Sequence, residues 1–220
     1  SDDTKGDVAS ALYTQLAAVA IVGRKYDEAG VMLKKADARA EGREAKFAVI
    51  KGFAALERER SNGSADATKK AIEYYQKILL LNQKHVPAHV NIAALYLSID
   101  NITEARKYIK KVSTSDDPEA LFVGARILFR EKKYAEALTV LQFAASRLDA
   151  MQNERNSQEK RVLAAKIFLE TALVDVSLKN TIGAEIAIQN AEREEPFYTI
   201  NQITSNIRFL PVLALIAKRQ

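Results

Sequence analysis

Small and apolar residues recur along this chain at helical spacing. Ala71 and Ile78 lie seven positions apart, and so do Ala105 and Val112. Seven residues make two turns of an α-helix, so the members of each pair lie on the same helix face. This spacing predicts helices that turn a face of small and apolar side chains toward other helices.

The same stretch of sequence is repeated. Ala71-Ile-Glu-Tyr-Tyr-Gln-Lys-Ile78 is followed 34 residues later by Ala105-Arg-Lys-Tyr-Ile-Lys-Lys-Val112. Further copies begin at Ala29 and Ala137, with a fainter one at Ala184. A second small residue stands twelve positions earlier in four copies, at Ala17, Ala93, Ala125 and Ala172. Because only a small side chain lets two backbones approach closely, we predict that two helices cross at these positions. Larger residues between the small ones are expected to fill the space toward the next repeat: Leu33, Tyr75, Ile109 and Leu141.

The period of 34 residues and this arrangement of alanines resemble the tetratricopeptide repeat family. The best copy runs from Val86 to Val112, and the resemblance covers residues 8–195, with degenerate second and fifth units. It implies an all-α fold: a right-handed superhelical solenoid of antiparallel helix pairs, with about five repeats and a C-terminal helix.

Breaks in the pattern give the expected boundaries. Residues 1–7 form a polar N-terminal segment, and the repeat array spans residues 8–195 as units 8–40, 44–83, 86–114, 118–150 and 157–195. Turn-forming residues at 61–64 lengthen the second unit, and an insertion lies at 148–160. Asn156 followed by Glu159 is typical of a helix start, and Asp117-Pro118 of a cap and first-turn proline. Residues 196–220 are expected to form a helix that caps the last unit or docks in a groove.

Composition agrees with helices and removes several kinds of site. The 220 residues are 48% hydrophobic, with only eight glycines and four prolines. The chain has no cysteine, which excludes disulfides, thiolate metal sites and cysteine nucleophiles. The longest apolar run, 209–217, is about half of what spans a bilayer and contains Pro211. We therefore expect no transmembrane segment, and the compartment stays open.

The net charge of +5 comes from lysines interleaved with acidic residues, as on solvated helix faces. An RNA-binding helical solenoid would rest on this charge alone, because the interleaved aromatic residues of such proteins are missing. Nucleic acid is therefore not an expected partner.

Residues with catalytic or metal-binding chemistry are few. His85 and His89 are four positions apart, but Pro87 lies between them and no carboxylate has ligand spacing to them. There is no glycine-rich phosphate loop and no Gly-x-Ser-x-Gly turn. We expect a protein that is not an enzyme and that needs no metal or cofactor.

The resemblance implies a binding surface, because in this family the first helix of each unit lines the concave face. Some members bind a C-terminal carboxylate there with lysines, asparagines and arginines, a pattern that only Asn91 matches here. The face is otherwise apolar. The residues predicted to contact a partner are Val49, Ile50, Phe53, Leu56, Val90, Asn91, Leu97, Phe122, Arg126, Phe129 and Arg130.

The leading hypothesis is a non-catalytic scaffold or adaptor that binds a hydrophobic or amphipathic protein segment in this groove. Phe53, Phe122 and Phe129 are the expected anchors, while Arg126 and Arg130 are expected to pair with an acidic residue of the partner. Two alternatives remain. Part of the apolar stripe is inter-helix core or is covered by the chain's own C-terminal segment. Alternatively, the chain is a self-assembling subunit that associates through its C-terminal helix or convex face.

Overall fold

The protein is all-α. The computed structural model describes residues 2–60, 64–151 and 157–217, which form twelve α-helices and one 3-10 helix and contain no strand. The helices are α1 (Asp2–Val22), α2 (Tyr26–Asp37), α3 (Arg43–Arg60), α4 (Ala65–Leu81), α5 (Val86–Ser98), α6 (Ile102–Lys110), α7 (Pro118–Arg130), α8 (Tyr134–Ala150), α9 (Ser157–Ser177), α10 (Thr181–Glu194), α11 (Pro196–Ser205), the 3-10 helix (Ile207–Phe209) and α12 (Leu210–Ala217).

The chain divides into two compact units, Ser1–Val112 and Ser113–Gln220. The first contains the pairs α1/α2, α3/α4 and α5/α6, and the second contains α7/α8 and α9/α10 followed by α11 and α12. The structure thus confirms the predicted all-α fold of consecutive antiparallel helix pairs. The division at residue 113 is a feature that the sequence pattern did not predict.

The alanines of the repeat lie where helices pack. Every one of them is at most 1% exposed: Ala17, Ala29, Ala36, Ala71, Ala93, Ala105, Ala125, Ala137, Ala144, Ala172, Ala184 and Ala191. In the second repeat Gly52 on α3 lies close to α2 of the first repeat. A Cβ at Gly52 would lie 2.5 Å from Cδ2 of the buried Leu33. Small residues are therefore buried at the contacts between helices, where the sequence predicted close packing.

Four of the pairs share one turn. Arg24, Asp100, Lys132 and Lys179 follow the first helix of their pair and have φ near +60°. In each turn the next residue donates its N–H to a carbonyl five positions earlier, as Lys133 does to Leu128 at 2.9 Å. This hydrogen bond is typical of a helix end at which the last turn is followed by one residue with left-handed backbone angles. The turn is thus a structural repeat, although its residue with positive φ is an arginine, an aspartate or a lysine and never a glycine.

Capping residues define several helix starts. Asp117 accepts hydrogen bonds from the N–H groups of Glu119 and Ala120, with Pro118 in the first turn, as predicted. Asn180 caps α10 in the same way. Helix α1 begins at Asp2, within the segment that the sequence separates from the repeats. The predicted start at Asn156 lies outside the described residues.

We predict that replacing one of the buried alanines by a larger residue destabilises the compact unit Ser113–Gln220. Ala137 on α8 is fully buried, whereas Ala135 on the same helix is exposed. Because the crossing has no room, Ala137→Leu should cost about 1–3 kcal/mol, and Ala135→Leu should stay within about 0.5 kcal/mol. Urea unfolding followed by circular dichroism measures both. Equal midpoints for the two variants would contradict close packing at Ala137.

Candidate functional site

Four of the predicted contact residues lie in the core. Val49 and Leu56 on α3 are each 1% exposed, and Val90 and Leu97 on α5 are 5% and 1% exposed. In this structure they offer a partner no surface. The helical spacing that selected them places a residue on a face, but it does not give its depth below that face.

The other apolar candidates of the first unit are half-buried. Ile50 packs against the cluster formed by α4 and α5, and Phe53 packs against the cores beneath α1 and α2. Phe53 also stacks on Tyr74, with ring centroids 5.2 Å apart. Both side chains therefore stabilise the unit in addition to any contact with a partner.

Asn91 already has partners within the chain. Its amide group donates to the Pro87 carbonyl at 2.8 Å, and its side-chain oxygen accepts from Arg58 at 3.0 Å. These bonds orient Asn91 within α5 and link that helix to α3. Hydrogen bonds within the chain thus account for Asn91, the one residue that matches the carboxylate-binding pattern.

In the second unit the predicted aromatic anchors sit on α7. Phe122 is half-buried against the core of α8 and α9. Phe129 packs against that core and also against a second cluster, which contains Ile203, Phe209 and Val212 from the end of the chain. Arg130 is exposed at the end of α7. The surface expected to take a partner is thus partly occupied by the chain itself.

The occupying segment, residues 196–217, is called the tail from here on. It packs on α9 and α10, where Ile203, Phe209 and Val212 are at most 5% exposed. Their neighbours there include Leu169, Leu173, Ile188 and Ala191. The Thr199 hydroxyl, fully buried, donates to the Ala191 carbonyl at 3.0 Å. The tail therefore completes the core of the last helix pair.

The tail is not one helix. α11 ends at Ser205, and Asn206 has extended backbone angles, φ −112° and ψ 114°. The Asn206 side chain accepts from the Arg208 N–H and so starts the 3-10 helix that leads into α12. This break changes the direction of the chain, so that Phe209 and Val212 reach the same core as Ile203.

A cluster of charged side chains joins the tail to α7 and α9. The Glu170 side chain on α9 is 4% exposed, and its Oε1 accepts from the Arg208 guanidinium at 2.7 Å. Its Oε2 lies 3.8 Å from Nε of Arg126 on α7. Arg126, expected to meet an acidic residue of a partner, thus meets one within its own unit.

Burial affects the groups around this cluster. It lowers the pKa of the Arg126 guanidinium, a shift that the nearby Glu170 carboxylate opposes. It raises the pKa of Tyr198 on α11 to about 12, against the lowering effect of Arg126. The Tyr198 ring also lies 5.9 Å from the ammonium of Lys166. The buried carboxylate of Glu170 thus lies beside the guanidinium groups of Arg126 and Arg208, and its charge also reaches the phenol of Tyr198.

Sequence reasoning missed Glu170, Arg208 and Tyr198. One signal was present, because Glu170 stands between the apolar stretches 167–169 and 172–174, and an acid in such surroundings is rarely buried unless it is paired. The partner gave no local signal, since Arg208 lies 38 positions away.

The two histidines have structural roles. Nδ1 of His85 accepts from the Ala88 N–H and so caps α5, and Nε2 of His89 lies 2.9 Å from the Gln83 carbonyl. Burial lowers the pKa of His85, as does nearby Lys51 to a lesser degree. Within the described part of the chain, no three acidic or histidine side chains come together as metal ligands would.

Comparisons with known proteins add little. No protein-family model matches the sequence, and no curated protein matches it. A solved structure titled "Functional Characterization of Pseudomonas Aeruginosa pilF" is similar, with 14% identity over 96% of this chain and 99% of that chain and a TM-score of 0.46. A likeness at this level carries no function to the present chain. Among residues 2–60, 64–151 and 157–217, no helix is long and apolar enough to cross a membrane.

We predict that Glu170→Gln loosens the tail. The change leaves two partly buried guanidinium groups without their counter-charge, and breaking such a pair should cost about 3 kcal/mol. Limited trypsin digestion measures the effect, because trypsin cleaves after Arg208 once the tail separates from α9 and α10. Urea unfolding gives the accompanying loss of stability.

The matched control is Glu104→Gln, which removes an exposed ion pair with Lys107. It should cost less than about 1 kcal/mol and leave cleavage after Arg208 unchanged. Cleavage rates that do not differ between Glu170→Gln and the unmodified chain would show that the carboxylate does not hold the tail.

Proposed function

We propose that the chain is a non-catalytic protein-interaction scaffold whose repeats hold an apolar or amphipathic helical segment of a partner. The observation that carries the proposal is the seat of the tail, which is the surface of α7, α9 and α10 against which residues 196–217 pack. There the second unit binds a segment of this chemistry in cis, through one apolar face and one ion pair.

The seat distinguishes the two sides of the tail. Ile203, Phe209 and Val212 face the core, whereas Phe197, Ile200, Ile207 and Leu210 are 55–84% exposed. Each buried apolar side chain contributes about 1.5–3 kcal/mol at most. A contact of this size holds a segment that is tethered to its site, where its effective concentration is in the millimolar range. A segment of a partner can therefore compete for the same seat.

The acidic group at the seat suits a binding role. Glu170 is paired with two guanidinium groups and is not an isolated acid. It selects a segment that carries a cation beside its apolar face, as Arg208 stands beside Phe209 in the tail. We thus revise the expected polarity of the ligand: at this seat it brings a basic residue, whereas the sequence suggested an acidic one.

Phe122, Phe129 and Arg130 remain proposed contacts for a partner on α7, and Ile50, Phe53 and Asn91 remain so in the first unit. The alternative of self-assembly through the C-terminal helix stays a prediction. The exposed outer side of the tail, with Phe197 84% exposed, favours it.

A trans-binding experiment tests the proposal. The variant Phe209→Asp places a charge among the buried side chains and should release the tail. A fluorescently labelled peptide with the sequence of residues 196–217 should then bind this variant at least about ten-fold more tightly than the unmodified chain, whose seat is filled. Fluorescence anisotropy measures the affinity.

Two comparisons make the result specific. Ile207→Asp carries the same charge in the tail at a side chain that is 78% exposed, and it should behave like the unmodified chain. The peptide with Arg208→Glu should bind Phe209→Asp more weakly, because it would bring a carboxylate to Glu170. If the peptide does not bind a Phe209→Asp variant that keeps its helical circular dichroism, the seat is not a binding site for such segments.

A further inference from the structure

Helix α1 carries an apolar stripe that no other described helix covers. Val8, Leu12, Val19 and Val22 are 70%, 56%, 72% and 86% exposed, and Leu16 beside them is 45% exposed. Residues 8–23 contain no charged side chain, and Gln15 is the one polar residue on the stripe. Lone exposed apolar residues are ordinary, but a contiguous uncharged stripe marks an interaction surface.

The stripe lies opposite the face that α1 uses within its own unit. Ser10 and Ala17 are each 1% exposed, and α1 packs against α2 and α3. At 100° per residue, Ala17 points about 180° away from Val8 and Val19. The stripe therefore makes no contribution to the core of the first unit.

We propose that this stripe is a two-fold interface between two copies of the chain, with the two α1 helices antiparallel and Gln15 at the axis. This inference concerns a different surface from the tail seat and does not depend on the proposed function.

Spacing supports the register. Positions 8, 12, 15, 19 and 22 are separated by four, three, four and three residues, which is the seam of a two-helix coiled coil. The seam reads nearly the same in both directions about Gln15. In an antiparallel pair Val8 therefore meets Val22 of the second copy, and Leu12 meets Val19. The Gln15 amide has both donors and an acceptor, so it can bond to its own copy across the axis.

The exposed area is sufficient for a small dimer. Five valine and leucine side chains at these exposures present on the order of 500 Å² per copy, to which exposed Ala11, Gln15 and Ala18 add. Specific interfaces begin at about 600 Å² per partner. The stripe thus reaches the lower limit of a stable dimer, and its small alanines allow two helices to approach closely.

Charges at the two ends favour the antiparallel direction. In the sequence, residues 1–7 contain three aspartates and one lysine, and Arg24 and Lys25 follow the stripe. An antiparallel pair places the acidic end of one helix beside the basic end of the other. A parallel pair would bring like charges together, and the aligned helix dipoles would also repel.

Sedimentation of the full chain tests the association. We expect a species of about twice the 24.4 kDa protomer mass at concentrations of roughly 1–100 µM, where contacts of this size associate. Val19→Glu places a charge in the seam and should weaken association by about a hundred-fold. The matched control is Leu80→Glu on α4, which alters a side chain that is 82% exposed and should leave the dimer intact.

Cross-linking tests the register, because the natural chain has no cysteine. With a short bis-maleimide, Gln15→Cys should link to itself. Val8→Cys should not, because the two copies of residue 8 lie about 21 Å apart along the helices. A mixture of Val8→Cys and Val22→Cys should link.

A single 24.4 kDa species throughout this range would overturn the proposal. So would a dimer that survives Val19→Glu with unchanged affinity, or efficient linkage of Val8→Cys to itself.

Discussion

Two helices that cross at an alanine bring their backbones closer together than any larger side chain permits, and the repeats of this chain are built on such crossings. Ala17, Ala93, Ala125 and Ala172 on the first helices are buried, as are the alanines of the second helices that face them. This close approach sets the pairing within each repeat. It also leaves each pair with an apolar side that needs a neighbour, which is why a repeat is not stable alone.

The first and last helix pairs of the described chain differ in how far this side is covered. At the C-terminal end, the tail covers the apolar side of α9 and α10, and Phe209 and Val212 become part of their core. The ion pair between Glu170 and Arg208 fixes the position of the tail by attraction at a buried site, where a misplaced charge would be costly. At the other end, the outer face of α1 stays uncovered within the described chain, and its lack of charge suits a second copy of the same face.

Sequence reasoning predicted the local features well because each depends on residues close together in the chain. The helix pairs follow from the alanine spacing, and the start of α7 follows from Asp117-Pro118. The burial of individual side chains was harder to predict. Val49 and Phe53 lie on the same face of α3, yet Val49 is buried and Phe53 is half-buried. Helical periodicity gives the direction of a side chain, while its depth depends on what the neighbouring helices bring.

The remaining features depend on contacts between distant residues. The break at Asn206 has meaning only because Phe209 must reach the core that Ile203 already occupies. The carboxylate of Glu170 is paired by arginines 44 residues before it and 38 residues after it along the chain. No local pattern specifies such a pairing. For this reason the packing of the tail could be found only in the structure, whereas the fold class could be predicted from the repeat.

The most direct measurement is hydrogen exchange of the full chain, followed by mass spectrometry of peptides from the tail and from α9 and α10. If the tail occupies its seat, the amides of residues 199–203, 210, 212 and 213 exchange about as slowly as those of α10, because opening them requires the buried contacts to separate. Tail amides that exchange at the rate of an unfolded chain, while α9 and α10 stay protected, would contradict the account.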